Sequence, residues 1–379
     1  MPRVTIAIAF VLVVLDAGCR PGTPTDDAGG IDAEPRPDAD GSQDAGEDPR
    51  EAGLDGAADG TDADPDADPD LDDPRPALPA GLVRYLTGSD DDAEVAPTGP
   101  GLILMGGGTE PDEAFLFWTP YLSGGDVVVL RTSGSDGYNE YLYSDIGGVD
   151  SVETLMVTTR ALAEDPYVAW TLAHAEGVFL AGGDQSTYLE QWSGTALCEG
   201  IMTAWRRGAV VGGTSAGLAV LGEHAFAAYN DTVTSDEALG DPYHPAVTLD
   251  RGLVQLPFMG GAVTDSHFRE RDRMGRLLAF LARIVVDGSS EEVLGVGVDE
   301  STAMVVGPDG LGEVVGRGSV YLLRPAGSPT LCEPGRPLEH AAEVQRLSPG
   351  DTATLPGFDS SSPSWTVWAE GGALHPVDP

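Results

Sequence analysis

From residue 101 onward, short apolar runs recur at 101–105, 127–130, 177–181, 209–211 and 293–298, most of them interrupted or closed by glycine. Runs of this length without polar alternation are the pattern of strands covered on both faces. Between them lie segments that mix polar and apolar positions at helical spacing, 151–160 and 196–207 among them. The alternation predicts an α/β fold with a parallel sheet flanked by helices. After Asp299 the pattern changes to short strands and turns at 303–306, 312–315 and 319–323, which predicts antiparallel strands added toward the C-terminus of the same domain. In such a sheet ligands gather at the carboxyl ends of the strands, where the glycine-rich turns after Met105, Ala181 and Val211 fall.

The first 79 residues follow other rules. One basic residue, Arg3, precedes an apolar run over 4–15 that is too short to span a bilayer and suits the core of a secretory signal. Leu15-Asp16-Ala17-Gly18-Cys19 resembles a bacterial lipobox, which would make Cys19 the lipidated N-terminus of the mature chain. Asp16 is unusual in that position, and cleavage with release is the alternative. Residues 20–79 are mostly Asp, Ala, Gly and Pro, too poor in large apolar side chains to offset the entropy of folding. They read as a disordered acidic tether. The formal net charge of -42 owes much to this stretch and argues against a nucleic-acid partner. The expectation is an exported protein, either secreted or held at the outer membrane or cell surface by a lipid anchor alone. Residues 80–379, roughly three hundred in number, suit one large domain, and they contain no apolar run long enough to cross a membrane.

Within that domain Gly213-Thr214-Ser215-Ala216-Gly217 has the G-x-S-x-G form of a nucleophile elbow, in which small neighbours let the backbone turn sharply and hold the serine oxygen clear of the sheet. Ser215 is the candidate nucleophile. A tightly packed strand-to-helix turn without catalysis would look the same, so the motif needs partners. The chain has six histidines, His174, His224, His244, His267, His340 and His375. His267 stands apart because it lies where a strand-like run passes into a helical segment, 269–283, and there it points toward the same crevice as Ser215. In that segment Met274, Leu278 and Leu281 mark an apolar stripe, with Arg271 one turn ahead on the same stripe. Arg269, Arg273 and Arg276 share another face. In a chain without lysine, this arginine cluster suggests an anionic or carboxylate-bearing substrate, such as an acidic peptide. Salt bridges on a solvated helix are the alternative.

Taken in order, the blocks Leu104-Met-Gly-Gly-Gly108, Phe179-Leu-Ala-Gly-Gly-Asp-Gln185, Gly213-Thr-Ser-Ala-Gly217, Asp265-Ser-His-Phe268, Gly295-Val-Gly-Val-Asp-Glu-Ser-Thr-Ala303 and Leu347-Ser-Pro-Gly-Asp351 resemble the cyanophycinases and the wider serine peptidase group that includes the α-aspartyl dipeptidases. The resemblance implies a glutamine-amidotransferase-like α/β fold, usually dimeric, that works without metal or cofactor. It implies Ser215 as nucleophile, His267 as base and Glu300 as the group orienting the imidazole; on the residues alone, Asp299, which a regular strand would turn to the face opposite Glu300, and Asp265 are rivals for that last role. The turn at Gly182, Gly183 and Asp184 and the amide of Ala216 would form the oxyanion hole. Substrate contacts map onto Gln185, Asp265, Ser266, Arg271, Arg273 and Arg276. Ser266 departs from the glutamine expected there, and an insertion-like stretch over 229–251 separates serine from histidine. The implied substrate is cyanophycin, a poly-aspartate carrying arginine through isopeptide links, or related β-aspartyl peptides, cleaved from an end to dipeptides.

Two other classes fit parts of the pattern. An esterase of the α/β-hydrolase kind shares G-x-S-x-G, but it should carry its acid between serine and histidine and an HGGG-like oxyanion loop, which the sequence lacks. A catalytically inactive surface-binding lipoprotein would require the loss of a residue among Ser215, His267 and Glu300, all of which are present. Cys198 and Cys332 either pair outside the cytoplasm or lie buried as free thiols.

Overall fold

The computed structural model describes residues 74–290 and 292–376. The expected signal over 1–19, Cys19 and most of the tether, 20–73, lie outside the described residues. In chain order the strands are β1 (Val83–Gly88), β2 (Gly101–Met105), β3 (Asp126–Arg131), β4 (Ser151–Met156), β5 (Gly177–Leu180), β6 (Val210–Thr214), β7 (His224–Phe226), β8 (Leu249–Arg251), β9 (Ala262–Asp265), β10 (Leu294–Val298), β11 (Thr302–Val306), β12 (Leu311–Gly316), β13 (Val320–Pro325), β14 (His340–Leu347), β15 (Thr352–Thr354), β16 (Ser364–Glu370) and β17 (Ala373–His375).

They form two sheets. The first runs β1-β4-β3-β5-β6-β2-β11-β12-β15. Its middle, from β4 to β2, is parallel throughout. The apolar runs that predicted these strands are buried on both faces. Leu102, Leu104, Val128, Leu130, Val178 and Leu180 pack on one side with Leu172 of the Pro166–His174 helix and Ile201 of the Ala196–Arg207 helix. Ile103, Met105, Val127, Val129 and Phe179 pack on the other with Phe115 and Trp118 of the Asp112–Trp118 helix. The α/β class with a parallel sheet flanked by helices is what the pattern of apolar runs predicts.

The structure corrects three readings. Residues 151–156, expected to be helical, form the fully buried strand β4, parallel to β3. The run at 293–298 does not join the first sheet. As β10 it belongs to a second, eight-stranded sheet of order β17-β16-β14-β13-β10-β9-β7-β8, in which β7, β9 and β10 are parallel and the rest antiparallel. The C-terminal strands are therefore divided between the two sheets. Finally, the arginine-rich helix spans Met274–Val286, since Asp272 has a left-handed φ of 49° and breaks the helical run ahead of it. Cys198 and Cys332 are both free and buried, and burial pushes the Cys332 thiol up to about 11.

Candidate active site

The site forms where the two sheets meet. Ser215 follows β6 of the first sheet, whereas His267 and Glu300 follow β9 and β10 of the second. The chain crosses from one sheet to the other between β10 and β11, and Glu300 sits at that crossing.

Ser215 has φ 52° and ψ -114°, a conformation L-residues avoid unless the surroundings enforce it. What enforces it is close packing: a Cβ on Gly217 would lie 2.0 Å from the Leu180 carbonyl oxygen, so the Ala216–Ala219 helix rests directly on the end of β5. The turn presents Ser215 Oγ to His267 Nε2 at 2.8 Å. On the far side of the ring, Nδ1 donates to Glu300 Oε1 at 2.7 Å when it carries the proton. The ring is held from behind as well. The His267 N–H donates to Gly106 O at 2.7 Å, and Gly107, with φ 92°, passes so close that a Cβ there would lie 2.5 Å from ring atoms Cε1 and Nε2.

His267 is buried, and this desolvation lowers its pKa below the ordinary imidazole value. Arg271 and Arg273 push the same way, while the bond to Glu300 opposes them. A neutral imidazole wedged between a serine hydroxyl and a carboxylate is ready to accept the serine proton.

The rival carboxylates face elsewhere. Asp299 is buried and accepts the N–H groups of Arg269 at 3.0 Å and Ser319 at 2.9 Å. Asp265 is buried against Arg276, whose Nε and Nη2 donate to its two oxygens at 2.8 and 2.6 Å, while Arg273 approaches at 3.3 Å. Arg276 also donates to Thr232 Oγ1 and Val233 O, so it fastens the 229–251 stretch to the end of β9. Ser266, likewise buried, offers its carbonyl to Arg273 at 2.8 Å. Of the six expected substrate contacts, then, Asp265, Ser266, Arg273 and Arg276 are drawn together in one internal network, into which Arg273 donates through Nη1.

Arg271 is exposed rather than set on a buried helical stripe, and it lies close enough to His267 to act on its charge. Gln185 opens the Gln185–Trp192 helix and reaches Phe226 O at 3.5 Å. Asp184 caps that helix by accepting the Ser186 N–H. Gly182 lies against Ser215, since a Cβ there would come within 3.6 Å of the serine Cβ. The Gly183 turn therefore borders the serine, and Ala216 opens a helix, so its amide is one of those left without an intrahelical partner. Among the described residues no group of three or more His, Cys, Asp and Glu is arranged to hold a metal ion. Two contributors escape a reading of the sequence. Gly107 is visible in the sequence only as part of a glycine run, and Glu270, which accepts the Glu300 N–H at 3.1 Å, only as an acidic residue among arginines.

Ser215, His267 and Glu300 all fall within residues 136–307, the stretch matched by the model of peptidase family S51. Over this stretch the chain resembles peptidase family S51. The S51 stretch is cyanophycinase-like: the cyanophycinase of Trichormus variabilis is 34% identical over 210 residues, covering 54% of this chain and 65% of the relative. That of Synechococcus elongatus is 36% identical over 188 residues, covering 48% and 53%. The chain thus spans less than two thirds of the length of these curated relatives. A solved peptidase from an acI-B1 actinobacterium shares 19% identity at a TM-score of 0.47, covering 68% of this chain and 97% of that one.

Proposed function

We propose that this chain is a serine exopeptidase that hydrolyses cyanophycin or related β-aspartyl peptides to dipeptides. The observation that carries the reading is the unbroken contact from Ser215 Oγ through His267 to Glu300, at 2.8 and 2.7 Å. In the proposed cycle His267 Nε2 takes the hydroxyl proton as Ser215 Oγ attacks the scissile carbonyl, and Glu300 stabilises the resulting imidazolium. The tetrahedral oxyanion lies against the amides of the Gly183–Asp184 turn and of Ala216, donors worth roughly 3 kcal/mol each in comparable sites. The imidazolium then protonates the departing amine. Water, deprotonated by the same base, releases the acyl group from Ser215 and restores the enzyme. Exposed Arg271, beside the base, is the natural partner for a substrate carboxylate.

The test is incubation of the protein with purified cyanophycin and mass analysis of the products. Release of β-Asp-Arg by the wild type and not by Ser215→Ala is expected; an intact polymer together with intact β-aspartyl peptides would sink the assignment. The reading extends to an exported, lipid-anchored protein on the strength of the apolar leader and Cys19. Cys19→Ala should move the protein from the membrane to the soluble fraction, and an unchanged distribution would remove the anchor. We also propose that it works as a homodimer, which sedimentation at micromolar concentration tests; a monomer would contradict it.

A further inference from the structure

His267 and Glu300 come from two separate segments, and crossed hydrogen bonds tie these segments together. Asp299 reaches into the loop after His267, where its Oδ1 accepts the Arg269 N–H at 3.0 Å. Glu270, in that same loop, reaches back, and its Oε2 accepts the Glu300 N–H at 3.1 Å. Each segment thus lends the other one carboxylate and receives it on one backbone amide. Both bonds end on a carboxylate oxygen. The Phe268 N–H adds a rung to Val298 O at 3.1 Å, and Asp299 Oδ2 anchors the whole to the Ser319 N–H at 2.9 Å, just ahead of β13. If the 267–271 loop slid against 298–301, the 2.7 Å contact between Nδ1 and Glu300 would open and the imidazole would be free to turn away from Ser215.

We infer that Asp299 and Glu270 are positioning residues, a reciprocal clamp that holds the segment bearing the base in register with the segment bearing its carboxylate. Neither touches Ser215, so each acts only through the geometry of the other two residues. The inference rests on the proposed serine mechanism for its effect on turnover, but not for its effect on the His267–Glu300 contact.

Glu270 is the informative member. It is exposed, so altering it leaves packing intact, whereas Asp299→Ala would strand two amides beside a buried site. Glu270→Ala removes the acceptor, and Glu270→Gln keeps an oxygen able to receive the same N–H. Glu270→Ala should lower kcat about tenfold with KM nearly unchanged, the scale of a lost hydrogen bond to a charged group, and Glu270→Gln should recover most of it. Both should melt close to the wild type.

A second readout needs no turnover. The low-field proton resonance of His267 Nδ1–H, bound to Glu300, should be shared by wild type and Glu270→Gln and should broaden or move upfield in Glu270→Ala. An unchanged resonance in Glu270→Ala, or a Glu270→Gln as impaired as Glu270→Ala, overturns the clamp. If the wild type cleaves no aspartyl peptide and the resonance still moves as described, the peptidase reading fails while the clamp stands.

Discussion

Replacing Gly107 with alanine tests the contact between backbone and base that the sequence hides. The new methyl carbon would lie 2.5 Å from both Cε1 and Nε2 of His267, whereas carbon contacts settle near ~3.5 Å. About 1 Å must be found, and the backbone has little to give: Gly106 O receives the His267 N–H at 2.7 Å and Gly107 O receives the Ser301 N–H at 2.9 Å. The ring therefore moves, and its 2.8 Å contact with Ser215 Oγ is disturbed. Displacing a catalytic group by that distance costs on the order of a hundredfold in rate, or about 2.7 kcal/mol of transition-state stabilisation. Separately, alanine at φ 92° adds backbone strain of about 1–2 kcal/mol, which should lower the melting point by a few degrees in a domain of this size. The two losses are read apart, by kcat/KM on β-Asp-Arg and by thermal unfolding. A Gly107→Ala protein with lowered Tm but wild-type kcat/KM would show that the ring pressed against Gly107 is not the working base.

Other expectations follow from the same geometry. Ser215→Ala and His267→Ala should each abolish most hydrolysis and the double variant should fall little further, because nucleophile and base act as one unit; strongly additive losses would point to another base. Burial lowers the His267 pKa from its ordinary 6.5, and only the neutral ring accepts the serine proton, so kcat/KM should be level at neutral pH and fall through a single acid limb centred below 6.5; a midpoint above that value contradicts the assignment. Arg276→Ala should destabilise the fold by up to about 3–5 kcal/mol in a denaturant titration, since it leaves the buried Asp265 carboxylate with only the longer contact to Arg273 at 3.3 Å. A loss below about 1 kcal/mol would mean that Asp265 is open to solvent and free for substrate.

What the sequence revealed and what it hid follow from how locally each feature is encoded. Strands β2, β5 and β6 announce themselves because burial on both faces demands unbroken apolar runs. Strand β4 does not, since it carries Ser151, Glu153 and Thr154, whose polar groups are met by Asp126, Arg84, Tyr167 and Asn139 from other parts of the chain. The second sheet was invisible for a related reason: the residues of β10 specify a buried strand but not that β9 and β13 are its neighbours. In the site, the Ser215 elbow is written in five consecutive residues and His267 in a strand-to-helix junction, and both could be read. The helical stripe through Arg271 misled because the left-handed Asp272 ends the pattern that spacing alone continues. The approach of Gly107 to His267 and of Glu270 to Glu300 joins distant segments, and no local pattern records either.

The central claim, that Ser215 is a nucleophile activated by His267, is tested most directly by reacting the protein with a fluorophosphonate and mapping the adduct by mass spectrometry. A single adduct on Ser215, formed quickly in the wild type and lost in His267→Ala, is the predicted result. An adduct on another residue, or a Ser215 that stays unlabelled while the protein hydrolyses peptide, would contradict it.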